Sequence, residues 1–421
     1  MKTNESSETS LGLKSAYSIS SLRSEIFASE SPESLVRSLP AQIVYMAMKE
    51  SGISSAVDLF EMASPDQRKV FLDLDLWAKD RISEDNLWEW LSMPDEADSI
   101  EILQKIISVI DLKIIAYFIN RYVDVQGTEE PTDAPPGPNY YSPDKGYTWI
   151  SVNIESEDKK FYLSRLLALI FETNAELFYQ LTSLKTTTTK SQLEEESFRD
   201  KGKRLAAEGI PELEYANENC SMLPVALALQ LLNIEETKPP KDIPILSPLI
   251  YDPDSLQPLT GFIEAINKSD DISSELSLLM NSAIVSWGID FSESELVRHT
   301  ARKVRGLINI GLETIRKLSN ASDLEIYKSL GLKHLMRVGI AESRNLKKIT
   351  SKILKDEEEL FKENKLLLTA IDGINQVVPE LPVFLDTEHF ETSSGIIPSE
   401  FRPLETLADI QTLEKFLLSH S

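Results

Sequence analysis

Apolar residues recur at intervals of three and four along nearly all of this 421-residue chain, a period that belongs to helices rather than strands. Val44 and Met48, then Ile53, Val57 and Phe60, then Val70, Leu74 and Trp77 follow it, and so do Leu103, Ile106, Ile107, Ile110 and Ile114. Short polar signals break the stripe repeatedly. Ser31-Pro32-Glu33 and Ser64-Pro65-Asp66-Gln67 each place a Ser cap, a Pro at the first helical position and an acid in the first turn. Ser64 with Gln67, Ser292 with Glu295 and Ser322 with Glu325 fit capping boxes, and Gly52 and Gly331 sit where helices end. The expected fold is mostly α, as bundles of short helices in several domains, because a chain this long exceeds the ~100–200 residues one core usually serves.

Only Tyr147 to Ile154 alternates in the manner of a strand, so a small β element, one strand or half a hairpin, is expected near 147–155. Two stretches resist the helical period. Gly127 to Gly146 is rich in Pro and Gly, and Thr237 to Pro258 carries six prolines, through which no helix can run. The predicted organisation is a helical N-terminal domain over 20–125, a linker over 126–146 and a middle helical domain over 147–236. A Pro-rich linker over 237–260 and a helical C-terminal domain over 261–421 follow. Trp77, Trp88 and Trp90 are expected in the core.

The net charge is −25, which favours solubility and opposes adventitious binding to nucleic acid or anionic membranes. That average conceals a reversal. Between Arg298 and Lys355 fourteen Lys and Arg face four Asp and Glu, so the segment is +10 and the remainder −35. Arg298, Arg302 and Arg305 lie at i, i+4 and i+7, on one helical face. Two roles for that face are open: neutralisation by the protein's own acids, or contact with an external anion. Nucleic acid is not the expected partner, since Tyr327 is the segment's sole aromatic and nothing else would stack on bases.

The single cysteine, Cys220, can form neither an internal disulfide nor a thiolate metal cluster, and reads as a small buried hydrophobe. The polar N-terminus shows no secretory signal, and the best apolar stretch, Ile106 to Ile119, is too short to span a membrane and is interrupted by Asp111 and Lys113. A cytoplasmic location is expected. Asp73, Asp75, Asp80 and Glu84 have the spacing of a calcium loop, but Ala78 replaces the obligatory Gly and Trp77 a ligand; these acids read as an exposed helix face and the next helix start, and Glu194/Glu195 as a solvated face. Asp386, Glu388, His389 and Glu391 cluster without a second histidine, which suits a solvated loop better than a metal site. No phosphate-cradling Gly-rich loop or nucleophile elbow is present. No cofactor, metal ligand or catalytic residue is therefore assigned.

Several stretches carry a resemblance. Ser38-Leu39-Pro40-Ala41-Gln42, Asp73-Leu74-Asp75-Leu76-Trp77 and Asp80-Arg81-Ile82 are three of them. Lys201-Gly202-Lys203-Arg204-Leu205 and Gly209-Ile210-Pro211-Glu212-Leu213-Glu214-Tyr215-Ala216 are the others. Together they resemble a bacterial family, of deltaproteobacterial type, classed as a domain of unknown function; the likeness covers the first half best and the C-terminal part loosely. The spacing of Leu39-Pro40 and Ser64-Pro65 is also similar to the helical N-terminal domain of MgtE-type magnesium transporters, which implies a superhelix of short helices. Neither resemblance supplies a catalytic residue. The sequence thus leads to a helical scaffold or regulatory protein with a protein partner, the rival being a metal- or phosphate-dependent enzyme with its site in the C-terminal domain.

Overall fold

A computed structural model describes residues 19–96, 99–232, 258–266, 271–356, 365–386 and 401–419. Helix dominates, with nineteen helices and three two-stranded sheets among the described residues. The chain forms two compact units, divided between Glu208 and Gly209. No described helix is long and apolar enough to cross a membrane.

The N-terminal unit begins with α1 (Ile19–Ala28), α2 (Pro32–Ser38), α3 (Ala41–Ser51), α4 (Val57–Met62) and α5 (Pro65–Asp75). The tight hairpin β1 (Trp77–Ala78) and β2 (Arg81–Ile82) follows, and then α6 (Glu84–Glu96), α7 (Ile100–Val109) and α8 (Leu112–Tyr122). Residues 41–48 of α3 are all buried, which makes it the central helix. The Ser64–Gln67 capping box starts α5, and Gly52, at φ +82°, ends α3. Trp77, Trp88 and Trp90 are all buried. Trp90 meets Phe60 edge to face at 5.5 Å.

Asp75 is 1% exposed and closes this core. Its carboxylate accepts hydrogen bonds from the Tyr45 hydroxyl and the Trp90 indole, both at 2.7 Å, and pairs with Lys49 at 2.9 Å. Asp73 is buried too. The expectation that these two acids lie on an exposed helix face is therefore wrong: the last turn of α5 points both inward, where a cationic or hydrogen-bonding partner offsets each. Glu84 does open the next helix, as expected.

β3 (Val123–Gly127) pairs antiparallel with β4 (Thr148–Val152), in the register Val123↔Val152 through Gly127↔Thr148. The strand expected near 147–155 is thus half of a hairpin. All five β4 residues are buried, which is why this segment carries Trp149, Ile150 and Val152 without a solvated face. The Pro- and Gly-rich residues between the strands fold back on them: Tyr141 bridges Ile150, the Tyr140 hydroxyl donates to Asp124, and the Asp144 carboxylate accepts from the Thr148 amide and the Tyr179 hydroxyl. The unit closes with α9 (Glu157–Thr173), α10 (Ala175–Thr187) and α11 (Lys190–Ala207); Asn174, rather than continuous helix, separates the first two and caps α10.

The C-terminal unit contains α12 (Leu213–Asn219), α13 (Val225–Leu231), α14 (Leu259–Ile266), α15 (Asp271–Trp287), α16 (Ser294–Leu318), α17 (Asp323–Asp356) and α18 (Lys365–Asn375). β5 (Glu380–Pro382), β6 (Phe401–Pro403) and α19 (Leu407–Ser419) complete it. The long pair α16 and α17 is joined by a turn that Arg316 and Asp323 clamp with two parallel hydrogen bonds, at 3.0 and 2.6 Å. The helices touch backbone to backbone, since a Cβ on Gly311 or Gly339 would fall onto the Leu335 or Leu307 carbonyl. Gly331, at φ +57°, breaks α17, and the buried Glu275 carboxylate accepts the Lys333 amide at the start of its second segment. The Ser322–Glu325 box forms; Ser292 and Glu295 make none, because α16 starts after Glu293. One core cluster joins Ile310 and Leu346 to Ile371, Leu381, Leu404 and Leu413. The Pro-rich stretch lies almost wholly outside the described residues, as do Glu388, His389, Glu391 and His420.

Candidate functional site

A row of buried and half-buried polar and ionisable groups lies along one face of α11. Glu194, Ser197, Phe198, Lys201 and Arg204 occupy i, i+3, i+4, i+7 and i+10, so they line one edge of the helix. Each meets a residue from the α5–β2 segment or the start of α8. The Glu194 carboxylate accepts from the Arg81 guanidinium at 2.8 Å and the Ile82 amide at 3.0 Å. Ser197 donates to Asp111 at 2.9 Å. Arg204 grips Asp73 with two hydrogen bonds of 2.7 Å and reaches Asp111 at 3.5 Å. Asp111 also caps α8 through the Lys113 amide. Three of the stretches that carry the family resemblance, 73–77, 80–82 and 201–205, therefore converge on this seam. Glu194 is buried here, which corrects its reading as a solvated residue.

Lys201 stands out within the seam. Its ammonium lies 5.0 Å from the Trp77 ring centroid and 4.8 Å from that of Phe198, and these rings are themselves edge to face at 5.3 Å. No hydrogen bond or ion pair reaches the ammonium among the described residues. Burial pushes the amine down to about 8; Asp73 opposes that and Arg204 reinforces it. Burial likewise raises the Asp73 carboxyl, against its pair with Arg204. A neutral amine at accessible pH is the chemical capability of this arrangement.

The shift has a consequence for stability. A lysine whose folded pKa falls below its unfolded value of 10.5 costs stability fully below about pH 8, and the cost vanishes as pH rises to 10.5. The shift is equivalent to about 3 kcal/mol. The two ring contacts favour the cation by about 0.5–1 kcal/mol each and offset part of it. Lys201→Met is therefore expected to stabilise the N-terminal unit by about 1–2 kcal/mol at pH 7 and by almost nothing above pH 10.5. Urea unfolding of the two proteins across that range checks this; a gain that persists at high pH would contradict it.

The residues expected to form an anion-contact face are all on α16. Arg298 is partly exposed and pairs with Glu295 at 2.9 Å. Arg302 is largely buried against Glu405, at 2.7 Å. Arg305 is partly buried and also has an interaction partner. Elsewhere in the basic stretch, Lys303 pairs with Glu380, Arg316 with Asp323 and Lys333 with Glu218. His299 joins Lys303 on the buried Glu380 carboxylate, at 3.2 Å. Burial pushes Glu380 up, but His299 and Lys303 hold it below the ordinary carboxylate range. Cys220 is buried, and burial pushes its thiol up to about 11, too high for a thiolate nucleophile near neutrality.

A family model described as a family of unknown function (DUF6178) matches residues 16–418. The chain belongs to that family. No curated protein and no solved structure matches it. In this DUF6178 member no group of three or more His, Cys, Asp or Glu side chains is placed to hold a metal ion among the described residues. Lys201 and Arg204 were not singled out for chemistry from sequence, and Asp73 was weighed only as a position of a calcium-loop spacing. Their one linear signal is that Glu194, Lys201 and Arg204 share a face with the apolar Phe198, and such a face reads as solvated until the partner segment is known.

Proposed function

We propose that this DUF6178 chain is a helical interaction or regulatory protein of the bacterial cytoplasm, and that it holds a protein partner through the elbow between α12 and α13. The observation that supports this is a run of large apolar side chains left in water. Leu213, Tyr215, Met222 and Leu227 are 57, 45, 53 and 46% exposed. On the opposite side the elbow is firmly anchored: Ala216, Asn219, Cys220 and Leu223 are buried, the Leu223 amide donates to the Arg337 carbonyl, and Arg337 donates to the Ser221 carbonyl. Apolar side chains presented on a fixed backbone cost little entropy to dock. In the same proposal Arg298, a partly exposed member of the predicted arginine face, adds an electrostatic contact.

Affinity capture at low and high salt tests the reading, with Leu213→Asp/Met222→Asp as the comparison. An apolar contact retains its partner at high salt and loses it in the double variant. Capture of nothing in either salt, or equal capture by the variant, would count against it. The rival reading, an enzyme with a site in the C-terminal unit, has one observation in its favour, the meeting of His299, Lys303 and Glu380. The Lys303 ammonium already compensates that carboxylate, which fits a structural ion group better than a catalytic base.

A further inference from the structure

We propose that Lys201 is an acyl-acceptor site: its amine, set against the Trp77 and Phe198 rings with no hydrogen-bond or ion-pair partner among the described residues, takes a small acyl group from a thioester or an acyl phosphate. The contrast with other lysines of the same unit carries the argument. Lys49, Lys113, Lys185 and Lys203 each have a carboxylate within ion-pair distance, and Lys69, Lys79, Lys145 and Lys190 are exposed to water. Lys201 has ring faces alone among the described residues. Its charged neighbours are already engaged: Asp73 and Arg204 with each other, Asp111 with Ser197 and Arg204, and Asp200 with Lys113.

The depressed amine, with the ring contacts counted, supplies about one order of magnitude or more of extra free base at neutral pH over an ordinary lysine. In the reaction the Nζ lone pair attacks the acyl carbonyl carbon, forming the N–C bond. The tetrahedral adduct collapses with departure of the thiolate or phosphate, and the surplus proton leaves to water. The product is a neutral amide. It removes a cation whose burial is costly, so acylation itself stabilises this unit.

The test incubates the full chain with acetyl phosphate in one arm and a small acetyl thioester in the other, from pH 6.5 to 10, and reads each lysine by peptide mass spectrometry. Lys201 is expected to acylate at least tenfold faster than Lys203 at pH 7.5 in at least one arm, and the arm that succeeds names the donor. Its rate should level off above about pH 8–9 while that of Lys203 still climbs. Phe198→Ala removes a partly exposed ring; in this variant the Lys201 profile should move toward that of Lys203. A thermal shift upward on acylation, absent in Lys201→Met, provides a second readout. Failure of Lys201 to react in either arm before the unit unfolds, or a rate and pH profile equal to those of Lys203, would overturn the proposal.

Discussion

Gly339→Val is expected to lower the melting transition of the C-terminal unit by about 6–12 °C, the largest effect anticipated for a single apolar change. A Cβ at 339 would lie 2.7 Å from the Leu307 carbonyl carbon and 2.9 Å from its Cα, so the obstruction is backbone, which cannot rotate away. The helices α16 and α17 must separate, and the packing of Leu307, Ile310, Leu335 and Met336, all buried to 1% or less, opens with them. Overpacking of this kind costs about 3 kcal/mol, far more than the roughly 0.3–0.4 kcal/mol of helix propensity gained when valine replaces glycine. For a unit of this size each kcal/mol moves the transition by about 2–4 °C. Gly127→Ala is the control, since a Cβ there meets nothing within 4 Å; its change should stay within about 0.5 kcal/mol. A Gly339→Val transition close to that of the parent would show that the two helices do not pack at this point.

Arg402→Leu should destabilise the same unit by about 3–5 kcal/mol, because it strands the buried Asp386 carboxylate and the largely buried Asp409 carboxylate. Arg402, 8% exposed, donates to Asp386 and forks onto Asp409 at 3.0 and 2.8 Å. Burial raises the Asp409 carboxyl, yet Arg402 and the Glu405 and Thr406 amides hold it below its ordinary 3.8. A depressed folded pKa means stability that is present above 3.8 and lost as pH falls through the folded value. In the variant the sign reverses, because an unpaired buried carboxylate prefers its proton. The gap between variant and parent should therefore narrow as pH drops from 7 to 5, and Asp386→Asn added to Arg402→Leu should restore part of the loss. Thermal unfolding at the two pH values decides it. A gap that widens on acidification would mean that Arg402 is not the group compensating these acids.

How far the sequence reaches varies by element. The Ser64 and Ser322 boxes and the Gly52 stop were legible, because each depends on groups a few positions apart. The β4 strand was legible from its β-branched and aromatic run, while its partner β3 was not, since pairing across twenty residues leaves no local mark. Asp73, Asp75 and Glu194 look solvated in sequence. Their burial follows from Arg204, Trp90, Tyr45 and Arg81, which lie between 15 and 131 positions away.

What the sequence by itself determined about this protein is its helical class, several helix ends and the concentration of positive charge between 298 and 355. These follow from backbone hydrogen bonding and side-chain period over one or two turns. Which charges are spent inside the fold was decided only by the tertiary structure. Arg302 on Glu405, Arg402 between two aspartates and Lys201 against two rings each depend on groups that the chain brings together from distant positions. A charge's free energy is set by its solvation and nearest partners, and neither is a property of its neighbours in sequence.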